Sequence, residues 1–94
     1  MLSSKAGIKL FCGGVPYPFQ ENDLKDLFSA HGTVVSAKIV VDHVGASRGY
    51  GFVEMATVEE AALAIQKLNG KRVAGKFLTV VTARRQSRWE GRNG

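Results

Sequence analysis

The stretch RGYGFVEM, residues 48–55, constrains this chain more than any other. Neighbouring side chains of a strand point to opposite faces, so Arg48, Tyr50, Phe52 and Glu54 share one face and Gly49, Gly51, Val53 and Met55 the other. Two large rings therefore stand side by side, with an aliphatic set behind them. A fold built on this strand has to bury the aliphatic face, and which face then looks at water decides what the protein does.

The remaining elements follow from periodicity. IKLFCGG (8–14) alternates as a strand with Ile8, Leu10 and Cys12 on one side and Lys9, Phe11 and Gly13 on the other. VPYPFQ is a proline-punctuated loop. ENDLKDLFSAHG places Leu24, Leu27 and Phe28 at helical spacing, with acids in the first turns where the macrodipole favours them and Gly32 at the end. Gln20 is a poor N-cap, so this helix is expected to begin weakly. VVSAKIVVD (34–42) is a β-branched strand, and HVGAS is a loop. In TVEEAALAIQKLNG, Thr57 and Glu60 form a capping box, Ala61, Ala64, Ile65 and Leu68 make one apolar stripe, and Asn69-Gly70 ends the helix. KRVAG is expected as a short turn and KFLTVVTA (76–83) as the last strand.

The order β-α-β-β-α-β predicts an α+β, ferredoxin-like sandwich: a four-stranded antiparallel sheet with two helices on one face. Leu10, Cys12, Ala37, Ile39, Val53, Met55, Leu78 and Val80 are expected beneath the helices. Phe11, Tyr50 and Phe52 are then left on the open face, an apolar patch that calls for a ligand.

Ninety-four residues suffice for one domain. One cysteine and two isolated histidines make no metal-ligand set, so no cofactor is expected, and Cys12 reads as a small buried side chain of a reducing, intracellular compartment. Nucleus, cytoplasm and organelle are not distinguished. No apolar run reaches membrane-spanning length, and MLSSKAG lacks the core of a secretory signal. The formal charge is +5, and the last eleven residues hold four arginines against one glutamate, which favours a polyanionic partner. Residues 1–7 are expected to be a flexible segment, 8–84 the domain, and 85–94 a flexible arginine-containing tail.

Two of these stretches resemble the paired signature of the RNA-recognition motif family. RGYGFVEM is similar to the longer motif, and LFCGGV (10–15) to the shorter one; the SRG at Ser47, the LNG closing the second helix and GKFLTV agree. The resemblance spans roughly residues 8 to 84. It implies that bases stack on Phe11 and Phe52, that Tyr50 packs against the sugars, and that Arg48 pairs with a phosphate. It also implies that the segment from Ala83 through Arg84 to Arg85 lies across the sheet. Two departures, Met55 for an aromatic residue and Cys12 for a branched one, both point inward by alternation. Gly49 and Gly51 are expected to be small because the strand packs closely on its neighbours.

Side chains sharing the open face are further candidates for RNA contacts: Lys9, Lys38, Glu54 and Thr79 for phosphates or base edges, Val40 and Val81 as apolar contacts. Single-stranded RNA is the expected partner of a monomeric, non-enzymatic module, with two to four nucleotides on the sheet; single-stranded DNA fits too, since stacking needs no 2′-hydroxyl. A protein-interaction module is the alternative, since some relatives bind peptides through an Arg-x-Phe loop before the last strand. GKFL, with Lys76 directly against Phe77, does not match that loop. A small enzyme is the third reading, without a visible nucleophile–base pair. Trp89 in the tail is an extra stacking ring, a cover for the sheet or a bystander.

Overall fold

The computed structural model describes residues 7–83. Strand β1 (Ile8–Gly13) leads to helix α1 (Glu21–Ser29), then β2 (Val34–Val41), β3 (Ser47–Met55) and helix α2 (Val58–Leu68). A small hairpin, β4 (Arg72–Val73) and β5 (Lys76–Phe77), precedes the last strand, β6 (Thr79–Thr82). The main sheet is antiparallel in the order β2-β3-β1-β6, so β1 and β3, which carry the two motifs, are its central strands.

One face of the sheet is sealed by the helices. Leu10, Cys12, Val53, Met55 and Val80 are completely buried from the sheet side, against Leu24 and Phe28 of α1 and Ala64 of α2. Each large apolar side chain so removed from water contributes about 1.5–3 kcal/mol, which fixes the face that must be inside. Met55 and Cys12 sit in this core as their alternation requires, and desolvation pushes the Cys12 thiol up to about 12.

Both helix starts are capped, in different ways. The Glu60 amide donates to the Thr57 hydroxyl at 3.1 Å. The Glu60 carboxylate does not complete the expected box, and its Oε1 is buried without a hydrogen-bond partner among the described residues. At α1 the weak Gln20 is compensated by the third residue of the helix, because Asp23 accepts from the Gln20 amide at 2.8 Å. At the far end of α2, the Asn69 side chain accepts from the Val80 amide at 2.9 Å and ties helix to sheet.

The last strand is shorter than periodicity suggests. Instead of one run over 76–83, Lys76 and Phe77 pair with Val73 and Arg72, and KRVAG is half a hairpin rather than a turn alone. Its two-residue loop holds Ala74 at φ 50° and Gly75 at φ 83°, the left-handed pair that matches strand twist. The cause is backbone demand: the Leu78 amide donates to the Lys71 carbonyl at 2.9 Å, and the Gly70 amide to the Leu78 carbonyl at 2.7 Å. β1 is available to pair only from Thr79 onward, opposite its terminal residue Gly13.

Candidate nucleic-acid interface

The uncovered face is a lattice of rows across the strands. Lys38, Phe52, Phe11 and Val81 form one row in register through β2, β3, β1 and β6. Tyr50, Gly13 and Thr79 form the next row, and Ser36, Glu54 and Lys9 the row on the other side. Alternation thus brings eight sequence-predicted residues to one place, together with Gly13 and Ser36, only where the register permits it.

The three rings make a single cluster. Phe11 and Phe52 are direct cross-strand partners with centroids 5.9 Å apart and planes at 67°, an edge-to-face pair. Phe11 and Tyr50 are 5.7 Å apart at 36°. Such pairs hold one another upright at about 0.5–1.5 kcal/mol each, while leaving outer ring faces open to a planar ligand. All three rings are half-buried, and Lys9 Nζ stands 5.8 Å from the centre of Phe52.

Glycine at 51 lets the rows close up. A Cβ there would lie 2.2 Å from the Lys38 carbonyl oxygen and 3.0 Å from the Ile39 Cα. The close-packing reading therefore holds for Gly51. At Gly49 the reason is conformational instead, since its φ of 82° is left-handed and a Cβ would meet only Tyr17 at 3.5 Å.

Around the rings the polar candidates differ in availability. Lys38, Thr79 and Val81 are exposed, and Val40 is half-buried beside the register break between Ile39 and Val41. Glu54 is half-buried and already accepts from the Ser36 hydroxyl at 3.3 Å, a neighbour that a residue-by-residue motif match does not reveal. Arg48 is exposed, but the left-handed Gly49 interrupts the two-residue repeat between it and Tyr50. Its charge acts on Asp42, which is held below the usual carboxylate range chiefly by the amides of Ala46 and Val44, with Arg48 as a smaller contribution. Ala83 donates its amide to the Lys9 carbonyl at 2.9 Å and is buried, so its methyl is not a free contact. Arg84 and Arg85, Trp89, and the segments 1–6 and 85–94 expected to be flexible lie outside the described residues.

Four residues at the Tyr50 end of the sheet escaped the sequence reading. Tyr17 and Phe77 are each about two-thirds exposed; Lys76 Nζ lies 5.2 Å from the Tyr17 ring centre, and the Arg72 guanidinium 5.7 Å from that of Phe77. The available signal was an aromatic residue beside a cation in a segment assigned to turn and strand. A groove of about 580 Å³ between Tyr17, Phe19, Glu21, Ile39 and Val41 is lined by none of the three clustered rings.

The family profile described as RNA recognition motif matches residues 10–79. The chloroplastic 31 kDa ribonucleoprotein of Nicotiana sylvestris is 41% identical over 81 residues, covering 85% of this chain and 26% of that protein. The cytoplasmic and nuclear polyadenylate-binding protein of Eremothecium gossypii is 41% identical over 85 residues, 90% of this chain and 14% of that one. The chain thus spans about a quarter or less of these two relatives. The structure of the Rna15 RRM with bound RNA (GU) is similar with a TM-score of 0.71 at 34% identity, covering 78% of this chain and 79% of that one. With both motif strands central, their rings paired across the open face and the profile running from β1 into β6, the chain belongs to the RNA recognition motif family.

Proposed function

We propose that the open sheet face binds single-stranded RNA without catalysis, as one module of a larger RNA-processing or RNA-regulatory protein. The observation that carries this reading is the Phe11–Phe52 pair, set edge to face in the centre of a sheet whose other face is sealed. One base stacks on Phe11 and a neighbour on Phe52, each contributing about 1–3 kcal/mol without demanding a particular sequence. Tyr50 packs against the intervening sugar. Lys9, Lys38 and Arg48 neutralise phosphate, and Glu54 and Thr79 offer hydrogen bonds to base edges, with Val40 and Val81 as apolar walls. Ala83 is a backbone element in this arrangement, its amide tied to the Lys9 carbonyl, and Arg84 and Arg85 are proposed as phosphate contacts by their charge alone. Residues 8–84 are the RNA-binding unit, acting as a monomer. Single-stranded DNA is a weaker candidate for the same surface, and protein partners add to RNA binding rather than replace it.

The family assignment and the RNA-bound Rna15 RRM support this reading. No helix among the described residues is long and apolar enough to cross a membrane. An intracellular location agrees with relatives whose names place them in chloroplasts and in cytoplasm and nucleus, and it favours no single compartment.

The test is a fluorescence-anisotropy titration of wild type and Phe11→Ala/Phe52→Ala against the four homopolymeric RNAs at two salt concentrations. The expected result is ring-dependent affinity that differs among homopolymers. A folded double variant with full affinity refutes the stacking mechanism.

A further inference from the structure

Phe77 is 64% exposed, and neither motif accounts for it. Leu78 beside it is buried, and Thr79 beyond is exposed like Phe77. The hairpin that carries Phe77 abuts the sheet: a Cβ on Gly14 would lie 2.2 Å from the Phe77 carbonyl oxygen. Between Phe77 and the ring cluster stands the row Tyr50–Gly13–Thr79, whose middle position has no side chain. Gly13 is itself buried and a Cβ there would meet the Phe11 ring at 3.0 Å, so glycine at this position lets the Phe11 ring lean over the row toward Thr79.

The electrostatics of the hairpin suit a nucleic-acid strand leaving the sheet at this end. The run from Lys71 to Phe77 contains three cations and no acid. Arg72 is the cross-strand partner of Phe77, and its guanidinium lies 5.7 Å from the ring centre, within reach of a base stacked there or its phosphate. Phe77 precedes Thr79, which lies one row out from the Phe11–Val81 pair, and it belongs to the hairpin beyond that row. A base at Phe77 is therefore a separate base from those on Phe11 and Phe52.

We propose that Phe77 and Arg72 form an additional RNA contact that extends the open face past Tyr50 and takes one further base of the same single strand. The proposal rests on the sheet-binding reading above. The continuity of the surface and the charge of the hairpin favour RNA over a protein as the occupant.

The test compares wild type, Phe77→Ala, Arg72→Ala and Phe52→Ala on degenerate RNAs of three and of ten nucleotides, since stacking tolerates any base. Phe77 and Arg72 are exposed, so both variants are expected to keep the wild-type circular dichroism. Support is a roughly five-fold or greater loss of affinity by Phe77→Ala for the ten-mer, with three-mer binding unchanged. Arg72→Ala should also lower the salt slope on the ten-mer by about 0.7. If Phe52→Ala weakens both RNAs while Phe77→Ala matches wild type on both, the extension is wrong and sheet binding stands. If Phe52→Ala matches wild type on both, sheet binding falls and the extension falls with it.

Discussion

Replacing Gly51 by alanine tests the link between strand spacing and the ring cluster. The new Cβ would start 2.2 Å from the Lys38 carbonyl oxygen, a backbone atom that cannot rotate away. Reaching even 3.0 Å requires β2 and β3 to part locally by about 0.8 Å, which carries a ladder bond of about 2.9 Å past the about 3.2 Å limit of good geometry. Overpacking costs about 1–3 kcal/mol, and one or two weakened backbone bonds add about 1 kcal/mol each. Reduced freedom of the unfolded chain offsets about 0.4–1 kcal/mol. The net expectation is a loss of about 2–4 kcal/mol, or roughly 10–25 °C in Tm for a domain of this size. Lys38 faces Phe52 across the same strand pair, so RNA affinity should fall as well, measured below the new transition. Gly49→Ala is the control: a Cβ there has ordinary room, and only the left-handed backbone opposes it, at about 1–2 kcal/mol. Thermal denaturation followed by circular dichroism reads both. A Gly51→Ala domain as stable as wild type would show that close approach is not why this position is glycine.

Two titrations give further checks. Asp42 has a carboxyl lowered chiefly by the Ala46 and Val44 amides, so its contribution to stability is present above its unfolded value and is lost as pH falls through the lower folded value. Denaturant titrations from pH 5 down to pH 2 should therefore lose less stability in Asp42→Asn than in wild type; identical pH profiles would refute the role of the loop bonds. Cys12 is raised from 9.0 to about 12 by burial, so its contribution is complete below pH 9 and is lost as pH rises toward 12. At pH 8 a thiol reagent should label Cys12 only as fast as the fold opens, and immediate labelling of the folded domain would contradict the packing of β1.

Much of the fold was legible because strand and helix repeats are local. Phe11 and Phe52 were assigned to the open face by counting in twos, and Leu24, Phe28, Ala61 and Ala64 to the core by counting in threes and fours. The count failed where backbone hydrogen bonds were chosen by distant partners. Lys76-Phe77 alternates with Thr79 and Val81 as if in one strand, yet Lys71 and Gly70 claim the backbone around Leu78 and make a hairpin. Gln20 looked a poor start for α1 because the compensating bond comes from Asp23. Ala83 appeared free because its burial cannot be counted from the strand.

The sequence by itself determined the order of elements, the buried side of each strand and the identity of the rings, since apolar periodicity leaves one arrangement that removes the aliphatic set from water. Only the tertiary structure decided that Phe11 stands directly opposite Phe52, that Gly51 admits Lys38 close beside them, and that Phe77 with Arg72 borders the same face. Register and close approach are relations between strands far apart in the chain. They are set by backbone pairing across the sheet, which no single strand's side-chain pattern encodes.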